Sequence, residues 1–175
     1  MDLYIAPVVF SNQTLLDNVI KNLGMVFRLP VQKITLDIDT DKLFSVERNQ
    51  YYSTGFLEQA IPQTDFINGK ILLITELDIY VPVLTFLFGE AQLNGKLSLV
   101  SVCRLHEEFY SGISDSGLLL ERTLKESLHE LGHNYGLIHC YDWDCVMHSS
   151  NSVEEVDIKG HDFCKNCNSL LSLKT

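Results

Sequence analysis

An α/β fold is predicted for this chain by three patterns: a strand, helix, strand unit at its start, an unbroken apolar run near its middle, and a long helix of period 3.6 in its second half. The 175 residues suit one domain with a sizeable core, and 46% hydrophobic against 21% charged residues is ordinary globular usage.

Residues 3–10 read as a buried strand, and Ser11 is placed to cap a helix in which Leu15, Leu16, Val19, Ile20 and Leu23 recur at helical spacing. Gly24 ends that helix near Phe27. After Pro30, Ile34, Leu36 and Ile38 alternate along Val31 to Ile38, the pattern of a half-buried strand. Residues 40–69 are polar and mixed and predict an irregular connection, with one helical turn before Pro62 and a turn at Asn68-Gly69. The run KILLITELDIY, Lys70 to Tyr80, predicts a central strand. LTFLFGEAQL and GKLSLVSVCRL flank Asn94-Gly95, a two-residue hairpin signal that puts one of the pair at a sheet edge. From about Ser114 to Tyr135 the stripe Leu120, Leu124, Leu128 and Leu131 predicts a helix, and Gly136 is placed to stop it. Residues 137–161 lack periodicity and are rich in Cys, His, Asp and Asn, and a last helix is expected over Asp162 to Leu173.

A net charge of -10 disfavours nucleic acid, whose phosphates are bound by surplus Lys and Arg. The opening MDLYIAPVVF has no Lys or Arg before a short, interrupted apolar run, so neither a signal peptide nor a membrane span is expected, and the protein reads as soluble and cytoplasmic with no membrane partner. Four of the five cysteines crowd into residues 140–167, which suits metal ligation better than a disulfide framework.

The chemistry concentrates in HELGHNYGLIHC, His129 to Cys140. Four apart on one helical face, His129 and His133 can present two imidazole nitrogens to one ion. Glu130, one residue on, falls beside that ion, where a general base is needed and a ligand is not. Gly136 can adopt φ > 0 and turn the chain back so that His139 adds a third nitrogen. Three ligands leave the fourth zinc position open, the mark of a catalytic site. At background frequencies, five positions matching this pattern by chance has a probability on the order of 10⁻⁵.

Cys140 and Cys145, four residues apart in the gap, and Cys164 and Cys167, two apart, make a closed tetrahedral cage for a structural zinc. A redox role for Cys164 and Cys167 would leave Cys140 and Cys145 unexplained, and disulfides would require an oxidising compartment. Cys103, inside the apolar run Leu97 to Leu105, reads as core. His106, His148 and His161 read as surface or hydrogen-bonded residues, and Trp143 as packing over the thiolate loop or as part of a substrate pocket.

These residues resemble the metzincin metalloproteases, whose HExxHxxGxxH signature is met by His129, Glu130, His133, Gly136 and His139. Cys140, Cys145, Met147, Cys164 and Cys167 look like the archaemetzincin branch, and FGEAQL with LVSVCRL extends the likeness upstream. The resemblance implies a metzincin-like α/β domain with a twisted, mostly parallel sheet, one antiparallel edge strand, a zinc-binding helix and a C-terminal helix pinned by a second zinc site. It implies that residues 1–136 carry the sheet and active-site helix and residues 137–175 the third ligand, the Met-turn at Met147 and the Cys₄ subregion. Phe86 to Leu93 is the candidate edge for pairing an extended peptide. The implied activity is hydrolysis of peptide or protein substrates with two zinc ions per chain, one catalytic on His129, His133 and His139 and one structural, through a zinc-bound water activated by Glu130. The alternative from a different class is a zinc-stabilised peptide-binding module with little or no hydrolysis. For the oxyanion, Tyr135 and Tyr141 are the nearest candidates in sequence.

Overall fold

The structure, a computed structural model, describes residues 2–172. Strand β1 (Asp2–Pro7) has Leu3, Ile5 and Ala6 fully buried, as a central parallel strand covered on both faces requires. It stops short of the expected Phe10 because the chain turns at Val9, which has φ 47°. Helix α1 (Gln13–Phe27) is capped by Asn12, not Ser11: the Asn12 side chain accepts from the Leu15 N–H at 3.0 Å, while Ser11 turns to the Glu76 carboxylate. The helix runs through Gly24 and ends where Arg28 takes a left-handed conformation.

Strand β2 (Val31–Lys33) pairs parallel with β1 and stops five residues before the expected Ile38. The alternation still holds, since Ile34, Leu36 and Ile38 pack on the core, but the backbone leaves the ladder and the Asp37 and Asp39 N–H groups donate to the Gln63 and Gln59 side chains at 2.9 and 2.7 Å. The connection expected to be irregular is instead built from β3 (Phe44–Ser45), β4 (Gln50–Tyr52) and α2 (Ser53–Thr64). Pro62 lies inside α2 near its end, where it removes one helix hydrogen bond without ending the helix, whose Phe56, Leu57 and Ala60 are buried.

Strand β5 (Gly69–Thr75) lies between β1 and the partner that follows, and the expected strand to Tyr80 breaks after it into β6 (Ile79–Tyr80), which joins β3 and β4 in a small second sheet. Strands β7 (Gly89–Ala91) and β8 (Leu97–Ser101) form the antiparallel hairpin, with the loop running from Gln92 to Lys96 and Asn94 at φ 55°. The main sheet has the order β2-β1-β5-β8-β7, parallel except for β7 at one edge. Cys103 lies past β8 in a 3₁₀ turn and is half-buried, because the strand ends at Ser101.

After α3 (Glu108–Ser111), helix α4 (Ser116–Asn134) starts at an Asp115 cap and packs with α1 on one sheet face. The other face is covered by α2. Helix α5 (Val153–Ile158) is tied to α4 by Arg122, buried between Asp157 at 2.7 Å and Glu107 at 2.9 Å. Helix α6 (Lys165–Ser172) begins three residues later than expected, and Leu173 lies outside the described residues. Among the described residues, no helix is long and apolar enough to cross a membrane.

Candidate metal centres

The C-terminal half of α4 carries His129, Glu130 and His133 against the β7 edge, and the chain leaves the helix at Gly136, whose φ of 81° is the left-handed conformation that glycine adopts without strain. The turn is closed by the Gly136 and Leu137 N–H groups donating to His133 and Gly132 carbonyls, and it returns His139 to the other two histidines. Ligand nitrogens of His129, His133 and His139 all lie within 4.8 Å of one another.

The hydrogen bonds of the rings determine what this cluster can hold. His129 Nδ1 faces the Val146 carbonyl at 2.9 Å and His133 Nδ1 the Leu137 carbonyl at 2.8 Å, so each Nδ1 carries the proton and donates it. Both Nε2 atoms therefore present lone pairs, yet they stand only 3.1 Å apart. Burial holds both rings below the ordinary histidine range, which keeps them neutral and leaves no proton between them. A cation is what reconciles two such lone pairs. Two nitrogens at tetrahedral zinc distances sit about 3.3 Å apart, so the residues fit the ion.

Glu130 is buried beside this cluster, and its carboxyl is pushed well above the ordinary range by burial, then by Glu126 and Glu90, while the Lys159 cation opposes the rise. Lys159 is itself buried and pairs with Glu126 at 2.7 Å. The room for Glu130 comes from Gly89 on β7, where an added Cβ would lie 2.6 Å from both Cγ and Oε1 of the glutamate. Glu130, the three histidines and β7 share one cleft of about 610 Å³. Along β7, the bonds from Ser101 N–H to Phe88 O and from Gln92 N–H to Leu97 O turn Phe88, Glu90 and Gln92 toward β8. By alternation the backbone groups of Gly89 and Ala91 face outward, so the expected edge at Phe86 to Leu93 narrows to these two residues.

The second cluster brings the four sulfurs of Cys140, Cys145, Cys164 and Cys167 within 4.8 Å of one another, with Cys140 and Cys164 at 4.0 Å. All are free thiols, and sulfurs around a tetrahedral zinc lie roughly 3.8 Å apart. The Cys167 backbone N–H holds the Cys164 thiol low, whereas burial pushes those of Cys145 and Cys167 up, a cost that a cation held there would offset. The loop between the clusters is shared: Cys140 N–H donates to the Met147 carbonyl at 2.9 Å, Val146 N–H to the Asp162 carbonyl at 2.8 Å, and Val146 O receives the His129 proton. Met147 is fully buried and packs on Gly132 of α4, in the turn between the two helical histidines.

Tyr135 is buried in the core, stacked 5.5 Å from Phe27, and Tyr141 is fully exposed; neither lines the cleft. Trp143 stacks on His148 at 3.7 Å. His148 Nδ1 meets the Ser149 carbonyl, and His106 and His161 each meet a neighbouring carboxylate. Sequence reasoning missed Gly89, Val146 and the Glu126–Lys159 pair. Only Gly89 left a local signal, a glycine within a strand.

The pattern of peptidase family M54 matches residues 16–173. An archaemetzincin of Methanocaldococcus jannaschii is 40% identical over 167 residues, 95% of this chain and 90% of that protein. The crystal structure of an archaemetzincin from Archaeoglobus fulgidus, complexed with malonate, matches with a TM-score of 0.82 at 35% identity, over 97% of this chain and 99% of that one. A zinc-dependent peptidase from Methanocorpusculum labreanum matches with a TM-score of 0.84 at 28% identity, over 97% of this chain and 99% of that one.

Proposed function

The chain belongs to peptidase family M54, and from that premise we propose that it is a zinc-dependent metallopeptidase whose ion is held by His129, His133 and His139 and whose general base is Glu130. The observation that carries this reading is the pair of unprotonated Nε2 atoms 3.1 Å apart, beside a buried glutamate in one cleft. Bound zinc would supply Lewis acidity, polarising a carbonyl and acidifying water. The remaining work falls to the chain. Val146 O and Leu137 O orient the two helical imidazoles through their Nδ1 protons. The outward groups of Gly89 and Ala91 bind the main chain of an extended peptide. The Glu130 carboxylate takes the proton of the attacking water and passes it to the leaving amine, a role that its place beside the three histidines in one cleft supports.

The cage of Cys140, Cys145, Cys164 and Cys167 holds a second, closed zinc with a structural role, and thiolate ligation fits a reducing cytoplasm. It braces the loop that carries Val146 and Met147, so the segment that orients His129 depends on it.

Metal analysis of the purified protein and cleavage of a mixed peptide library test the proposal together. Two zinc ions per chain and hydrolysis abolished by chelator and by Glu130→Gln, with both metals retained in the variant, are the expected results. Equal turnover by wild type and Glu130→Gln would overturn the assignment of Glu130.

A further inference from the structure

The segment from Val81 to Phe88, between β6 and β7, lines the cleft through Leu84, Thr85, Phe86, Leu87 and Phe88, and none of these carries a charge. It makes few backbone bonds of its own and is held by side chains from elsewhere. Arg48 donates to the Leu84 and Pro82 carbonyls at 2.8 and 3.1 Å. Buried Gln50 donates to the Thr85 carbonyl and to Asp78, both at 3.0 Å. Asp78 is gripped by Arg104 at 2.7 and 2.8 Å, and the Arg104 guanidinium lies 4.5 Å from the centre of the Phe86 ring. Phe88 meets the same ring edge-on at 5.2 Å. The half-buried Phe86 is thus packed by a cation and by an aromatic edge, and Leu84 beside it is 50% exposed.

A surface held this firmly before any peptide arrives pays no ordering cost on binding. An apolar side chain laid against it loses water at a gain, whereas a lysine would be desolvated beside the Arg104 cation. We propose that Leu84 and Phe86 form a preformed apolar subsite for a large aliphatic or aromatic side chain of the peptide lying along β7, and that Phe86 sets this preference. The proposal rests on reading the cleft as a peptide site. It adds the class of side chain selected and the residue that selects it.

The test uses zinc-loaded protein and a matched peptide set in which each of the two residues on either side of the scissile bond is varied among Leu, Phe, Ser and Lys. Cleavage is measured as kcat/KM, and binding is measured separately as Kd on a Glu130→Gln background. A preference of about tenfold or more for Leu or Phe over Ser and Lys is expected at one position in both readouts. Phe86→Ala should bring that preference to within about threefold, while Phe86→Leu, which keeps an apolar wall, should retain most of it. Binding preference without any cleavage would sink the peptidase reading and leave the subsite standing. No preference at any position, a preference for Lys, or a preference that survives Phe86→Ala in protein with an unchanged circular dichroism spectrum would overturn the subsite.

Discussion

Gly89→Ala should disable chemistry without touching a single ligand. The added Cβ would lie 2.6 Å from Glu130 Cγ and Oε1, where ordinary contact begins at 3.4 Å, so the glutamate must retreat by about 0.8 Å. A displacement near 1 Å at a reacting group costs about 100-fold, or roughly 2.7 kcal/mol in the barrier. The backbone groups of Gly89 that face the open edge are kept by alanine, whose methyl points at Glu130, so KM should stay within about threefold. Overpacking of this kind costs about 1–3 kcal/mol of stability, which a thermal melt will register as a modest fall in Tm. The measurement is kcat and KM on one cleaved peptide, with zinc content determined on the same preparation. A folded, zinc-replete Gly89→Ala protein with kcat within threefold of wild type would refute both the packing argument and the placing of Glu130 at the reaction.

Two further outcomes follow from the shared loop and the buried rings. Cys140→Ser should lose the metal of the cysteine cage, lower Tm and reduce kcat/KM at least tenfold, because the cage sulfur removed braces the loop in which Cys140 N–H meets Met147 O and Val146 O orients His129; metal content and kinetics measured together check this, and full activity with one zinc lost would break the coupling. Burial holds His129 well below its ordinary 6.5, so between those two values the unfolded chain carries more protons, and metal-free protein loses stability as pH falls below about 6.5. Melts of metal-free wild type and His129→Gln from about pH 7.5 to 5 should show the steeper loss in wild type, and parallel curves would remove His129 from the account.

Much of the fold was legible because its signals are local. The helix from Ser116 was visible in leucines at helical spacing, and the β7–β8 hairpin in its turn residues. The errors share one cause: a local signal was outvoted by partners distant in the chain. Pro62 reads as a stop, yet α2 continues because Phe56, Leu57 and Ala60 bury on the sheet. The strand after Pro30 ends at Lys33 because glutamines of α2 take over its backbone bonds. The first helix does end at Phe27 as expected, with Arg28 and not Gly24 as its left-handed residue.

The same division runs through the site. His129, Glu130 and His133 are set by the helical repeat, His139 by a glycine turn three residues on, and the cysteines by their own spacing, so the sequence by itself determined which atoms can meet an ion. The groups that tune those atoms come from elsewhere in the chain: Val146 reaches His129 across 17 residues, Gly89 makes room for Glu130 from the edge of the sheet, and Lys159 neutralises Glu126 from beyond α5. Only the tertiary structure decided these, because side-chain spacing encodes a shared helical face but not which strand edge or loop carbonyl is folded against it.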